Sequence, residues 1–219
     1  MQEYTVIRQR RRTIALYINP NGTLTVKAPF LTPDFFIKQF IKQKQDWIDK
    51  HIARIKQYPQ LEEKKFIDGE LFLFLGTEYP LNIIHTQEIK LTTVLEFPFK
   101  NKRSIKKRII DWYKQQALQT VMARVEKWAR IMNVTYTSID ISNAKRRWGA
   151  CSYIDELTFN WRLIMAPLEA IDYVVIHELA HITEKNHSKQ FWELVQKYCP
   201  DYKIKRRWLK VHGNAMEVA

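Results

Sequence analysis

The chain has 219 residues, 46% of them hydrophobic and 13% aromatic, which is enough apolar material to bury a core and excludes a disordered chain. With only 5 glycines and 2 cysteines, it offers no basis for a glycine-rich phosphate-binding fold, a disulfide scaffold or a cysteine-rich zinc site. The formal net charge of +13 favours an anionic partner (nucleic acid, acidic peptide, phosphorylated small molecule or anionic surface) without choosing among them, and it is equally compatible with an ordinary solvated basic surface.

The first twelve residues are polar and basic and lack the apolar stretch of a secretory signal. The next segment alternates: Ile14, Leu16 and Ile18, then Leu24, Val26 and Ala28, separated by Asn21-Gly22, which predicts a β-hairpin with one apolar face. A helix is expected next, capped by Thr32 with Pro33 in its first turn, and carrying Ile37, Phe40, Ile41, Ile48, Ile52 and Ile55 at helical spacing. Residues 71–75, 79–84 and 91–97 read as strands punctuated by Gly69 and Gly76.

From about Ser104 the period changes. Ile109, Ile110, Trp112, Tyr113, Leu118, Val121, Met122, Val125 and Trp128 predict a long amphipathic helix ending near Asn133. Strands are expected at 136–141 and 157–163. Pro167 then opens a helix through His177, and shorter helices follow near 188–198 and 202–212. The expected fold class is α+β: a β-rich region with one helix over 1–99, then an α+β domain over 100–219 that contains the helix through His177. The basic stretch 100–107 is the boundary between them or the start of the long helix. The apolar runs 71–75 and 173–176 are too short to cross a bilayer, so the expected location is the cytoplasm.

The chemistry concentrates in His177-Glu178-Leu179-Ala180-His181. Histidines four apart share a helix face, so both imidazoles can converge on one ion, and Glu178 can reach a water bound to it. Zinc lowers the pKa of such a water toward about 7, and a carboxylate can take its proton as it attacks a carbonyl. The bland alternative is a pair of core histidines bonded to backbone carbonyls. A catalytic site needs a third protein ligand and one open position. His187 has the spacing of an extended HExxHxxxxxH motif, and Glu184 and Glu193 are the rivals. The extended motif often has glycine where this chain has Glu184, so either Asn186 adopts a left-handed conformation to make the turn or the helix runs on.

These residues carry a resemblance. Together with Arg147-Trp148-Gly149-Ala150-Cys151-Ser152, Leu157 to Leu163, Ala166-Pro167, Asn186-His187-Ser188 and Phe191-Trp192, they resemble the YgjP-like metallopeptidases, relatives of the WLM and SprT-like zincins. The hairpin and residues 69–75 are also similar, so the likeness covers most of the chain. The family pattern usually reads Arg-Trp-Gly-Ser-Cys-Ser, and this chain has Ala150 in place of the first serine. The resemblance implies a zincin-like fold for the α+β domain over 100–219, with an active-site HExxH helix, and one zinc per chain in a peptidase-like site.

Around the motif, Arg147 and Arg162 are candidates for holding an oxyanion or a substrate anion, against the alternative of surface ion pairs. Tyr173, one turn before His177, is a candidate donor to a tetrahedral intermediate or a packing residue. Trp148 and Trp161 read as core aromatics. Three functions follow. The first is a zinc metallopeptidase in which a zinc-bound water activated by Glu178 attacks a peptide carbonyl. The second is a zinc phosphohydrolase acting on nucleotides or other phosphorylated small molecules, with Lys145, Arg146, Arg147 or Arg162 on the phosphates. The third is a nucleic-acid-associated protease or binding protein using the basic clusters at 8–12, 100–107, 145–147 and 203–207. Manganese, nickel or iron suits the same histidines.

Overall fold

The computed structural model describes residues 3–19, 22–56, 64–84, 88–98, 102–144, 147–213 and 216. In the unit Met1–Glu62, three strands, β1 (Tyr4–Arg8), β2 (Ala15–Ile18) and β3 (Leu24–Ala28), form a sheet in the order β1-β3-β2. The expected hairpin is β2–β3, closed where the Gly22 N–H donates to the Asn19 carbonyl at 2.8 Å. Gly22 adopts φ 81°, which a side chain disfavours. Strand β1 was not foreseen. It pairs parallel with β3, and at its end Arg8 donates to the Phe30 and Thr32 carbonyls and pairs with Asp34 at 2.6 Å.

The single helix expected after Pro33 is two: α1 (Asp34–Gln43) and α2 (Gln45–Lys56). The break falls at Lys44, whose N–H bonds back to the Phe40 and Ile41 carbonyls while its backbone leaves helical geometry. Thr32 does not cap α1. Pro33 holds the cap position without a side-chain bond, and Asp34 supplies the favourable charge in the first turn. Leu24, Val26 and Ala28 bury against Ile37 and Ile48, so the core of this unit is the alternating face of one strand and one residue from each helix.

The unit Glu63–Ala219 begins well before residue 100. Strands β4 (Leu71–Phe74), β5 (Thr77–Ile84), β6 (Lys90–Leu91) and β7 (Leu95–Pro98) make a sheet in the order β4-β5-β7-β6. Their apolar faces join the same core as the long helix α3 (Lys102–Met132), which is why the division lies at 62/63 rather than at the expected 99/100. The Tyr113 hydroxyl of α3 donates to the Leu73 carbonyl at 2.6 Å. Along α3, Ile105, Ile109, Tyr113, Ala117, Val121, Val125 and Ala129 recur every fourth residue and are buried. Asn133 ends the helix in a left-handed conformation, φ 55°.

The third sheet has the order β8-β10-β9: β8 (Ser138–Ser142), β10 (Glu156–Asn160) and the short edge strand β9 (Gly149–Cys151). The strand expected over 157–163 stops at Asn160, and Trp161–Met165 form a 3₁₀ turn. Helices α4 (Leu168–Thr183), α5 (Lys189–Tyr198) and α6 (Tyr202–His212) complete the unit. The β4–β5 turn supports the start of α4. Leu75 and Gly76 donate backbone bonds to the Ile164 and Met165 carbonyls, and a Cβ on Gly76 would stand 2.9 Å from Pro167 Cγ. Among the described residues no helix is long and apolar enough to cross a membrane.

Candidate metal centre

Helix α4 is buried on nearly every side, with Ile171, Val175, Ile176, Leu179 and Ala180 at most 1% exposed. Burying each such aliphatic side chain contributes roughly 1.5–3 kcal/mol, except for the smaller alanine. That packing fixes the helix rotation and therefore where its polar residues point. His177 and His181 lie one turn apart with ring centroids 5.0 Å apart. The chain leaves α4 at Glu184 in an extended conformation, φ −120°. The expected left-handed Asn186 is not used: the described non-glycine residues with positive φ are Phe66, Leu75, Asn133 and Asp155. Ser188 caps α5 by accepting from the Phe191 N–H at 3.2 Å, and this returns His187 toward α4. His187 Nε2 lies 3.0 Å from His177 Nε2. One ring nitrogen from each of His177, His181 and His187 falls within 4.8 Å of the others. Buried Phe191 packs on all three rings, with centroid distances of 4.9, 4.5 and 4.7 Å.

Burial, reinforced by His181, His187 and Arg206, pushes His177 down to about 3. Burial also lowers His181, against the raising effect of the Glu184 carbonyl, which lies 3.0 Å from His181 Nδ1. A proton held on that Nδ1 leaves Nε2 with its lone pair free. Glu178 is 5% exposed, and burial pushes its carboxyl up to about 8, with the positive charge of Arg147 opposing. Glu178 packs directly on β9. A Cβ on Gly149 would lie 2.5 Å from Glu178 Oε1 and 2.6 Å from its Cγ, so only glycine leaves room for the carboxylate.

Two cavities meet at His177 and Glu178. One, of ≈ 310 Å³, runs along β9 past Ala150, Cys151 and Ser152 to Lys185 and the other two histidines. The second, of ≈ 320 Å³, lies between α4 and α6 and is walled by Trp148, Tyr173, Val174 and Leu209, with Arg206 and Lys210 also lining it.

A family model described as YgjP-like, metallopeptidase domain, matches residues 12–212. The chain belongs to the YgjP-like family. Membership makes this YgjP-like chain a metal-dependent hydrolase of the metallopeptidase class. Among solved structures, the metallopeptidase zymogen abylysin of Pyrococcus abyssi is 25% identical over 41% of this chain and 92% of its own, with a TM-score of 0.38. The zymogen jannalysin of Methanocaldococcus jannaschii is 21% identical over 40% of this chain and 94% of its own, with a TM-score of 0.36. Comparison with curated proteins gives no match.

The donor set of the YgjP-like chain fits a divalent ion. Nitrogens bonded tetrahedrally at about 2.0–2.1 Å lie roughly 3.3 Å apart, close to the 3.0 Å between His177 and His187. Among the described residues neither rival carboxylate, Glu184 nor Glu193, joins the histidine cluster. Glu184 meets His181 through its backbone carbonyl rather than its carboxylate, and the Glu193 carboxylate lies 3.7 Å from the Lys189 ammonium. Tyr173 sits edge-on to His177 at 5.9 Å, and its phenol is pushed up to about 12, chiefly by burial. Arg147 is exposed on the segment leading into β9. Arg162 is not brought to the histidines. It lies in the 3₁₀ turn with its guanidinium over the Trp161 ring at 4.5 Å, and neither cavity includes it. Lys145 and Arg146 lie outside the described residues. Trp161 is the buried core aromatic expected, whereas Trp148 is half-buried and walls a cavity.

Four residues of the site have no catalytic or substrate-binding reading in the sequence. In the sequence Gly149 stands only as part of the Arg147 to Ser152 motif. Asn160, 4% exposed, donates to the Ala144 carbonyl at 2.6 Å and accepts from the Arg162 N–H at 3.0 Å, so it fastens the loop that delivers β9. Arg206 and Lys210 share one face of α6; their four-residue spacing was the available signal, although only Arg206 fell within a basic cluster.

Proposed function

We propose that this protein is a zinc metallopeptidase in which His177, His181 and His187 hold one zinc and Glu178 is the general base. The observation that carries this reading is the convergence of three histidine ring nitrogens within 4.8 Å beside a buried carboxyl. Zinc, when bound, supplies Lewis acidity that lowers the pKa of a water toward about 7 and polarises the substrate carbonyl. The chain's own residues do the rest. Glu178 accepts the proton of the attacking water, and its buried position favours holding that proton until it passes to the leaving amine. Gly149 keeps the Glu178 carboxylate against β9. The Tyr173 hydroxyl, protonated throughout the neutral range, is available to donate to the oxyanion of the tetrahedral intermediate. Arg147 adds a positive charge that favours the carboxylate form of Glu178 before attack.

The phosphohydrolase alternative has less support, because Arg162 lies over the Trp161 ring and lines neither cavity. The test is turnover of a mixed peptide library by zinc-loaded protein. Glu178→Gln is expected to keep the zinc and lose activity by about 10²–10⁴-fold. Cleavage of nucleotides but no peptide would replace the peptidase reading with the phosphohydrolase one.

A further inference from the structure

The cavity between α4 and α6 has a composition that the proposed chemistry does not need. Its walls, Trp148, Tyr173, Val174 and Leu209, are largely apolar, yet Arg206 and Lys210 line it from successive turns of α6. The neighbouring Lys205 is paired with Asp201. Among the described residues neither Arg206 nor Lys210 has a carboxylate partner, and Glu178 is the one carboxylate in the cavity wall. Arg206 is also held in place: its guanidinium lies 5.1 Å from the centroid of the Trp192 ring. That indole stacks in turn on Tyr202 at 5.2 Å and on His187 at 5.6 Å. A guanidinium stacked on an aromatic face loses less freedom when it binds an anion.

We infer that this cavity is the subsite for a substrate residue adjoining the scissile bond that carries a carboxylate. The apolar walls take its stem, and Arg206 with Lys210 takes its anion. The inference rests on the peptidase reading and adds the substrate class. A neutral residue leaves both cations unanswered, and a lysine is repelled. The carboxylate comes either from an acidic side chain or from the C-terminus of the substrate.

Paired peptides separate these sources. Each pair differs only by glutamate against glutamine at one position next to the cleaved bond, or by a free against an amidated C-terminus. kcat/KM is measured with zinc-loaded protein, and binding of the same peptides to the Glu178→Gln protein is followed by fluorescence anisotropy. The expected preference for the carboxylate is roughly three- to tenfold, mostly in KM, and it should shrink as salt rises. A preference confined to glutamate identifies a side-chain subsite, and one confined to the free terminus identifies a chain-end subsite; either supports the inference. The double variant Arg206→Glu/Lys210→Glu should reverse the preference toward lysine, a gain that misfolding cannot imitate. Equal rates and equal binding for both members of every pair overturn the inference while leaving the peptidase intact. No cleavage of any peptide overturns the peptidase reading and this inference together.

Discussion

Helices α3 and α4 pack in the same core, yet they treat polar residues in opposite ways. On α3 the buried stripe is wholly apolar apart from the Tyr113 hydroxyl, which is bonded to the Leu73 carbonyl, and the charged residues of its described part lie outside that stripe. On α4 the burial continues round the helix, and a carboxyl and two imidazoles sit within it. Arg124 of α3 and Asp172 of α4 make the described ion pair between the two helices, with both bonds at 2.5 Å. A buried carboxylate without a cation bonded to it costs free energy, so burial shifts the group toward its protonated form. The contrast teaches that α3 is arranged for stability, while α4 buries groups that burial drives to their neutral forms, a proton held on Glu178 and none added to His177.

The largest break in that contrast comes from removing a ligand. His177→Ala and His187→Ala, compared with wild type by plasma mass spectrometry on untagged protein, are each expected to lose the single zinc and all measurable hydrolysis. Added zinc should raise Tm in wild type and leave the His177→Ala protein unchanged. If His187→Ala kept its zinc, Glu184 or Glu193 would have to turn inward as ligand. Next in size is Gly149→Ala. The added methyl meets Glu178 at 2.5–2.8 Å and should destabilise the protein by about 1–3 kcal/mol in urea unfolding while displacing the base and lowering kcat. Wild-type stability with low activity would place the effect on Glu178 alone.

Asp172→Ala tests the α3 side of the comparison. Both partners are less than one-fifth exposed, so leaving Arg124 unpaired should cost about 1–2 kcal/mol with zinc content unaffected. The remaining effect is a slope. In zinc-free protein the folded Glu178 carboxyl is raised to about 8, above its ordinary unfolded value, so the folded state binds the extra proton. Its favourable contribution is complete below the unfolded value and is lost as pH rises through about 8. Wild type should therefore lose stability between pH 5 and 8 relative to Glu178→Gln, and parallel urea midpoints for the two proteins would refute this.

Much of the second unit was legible in the sequence because its signals are long or chemical. The long α3 and its end near Asn133, the start of α4 at Pro167 and the ranges of α5 and α6 follow from periodicity and capping residues, although Leu118 and Met122, counted in the apolar pattern of α3, are exposed. The histidine spacing foretold a cluster that the geometry brings together. What escaped notice depends on contacts distant in sequence. Strand β1 pairs with β3 across the intervening β2, and β9 is three residues long, too short for a period to register. The helix break at Lys44 has no proline or glycine to mark it. The division at 62/63 depends on β4–β7 sharing a core with α3, which no local pattern states. Gly149 matters through a carboxylate 29 positions away, and nothing beside it in the chain indicates this.

Trp192 stacks on His187 with an interplanar angle of 22° while Arg206 lies over its ring. The indole thus touches both the third histidine of the cluster and one of the cations of the cavity. Its excited state is exposed to whatever changes the charge on either neighbour, so the protein carries an internal optical reporter. The emission lost in Trp192→Phe is the fraction that senses ion loading through His187 and anion arrival through Arg206.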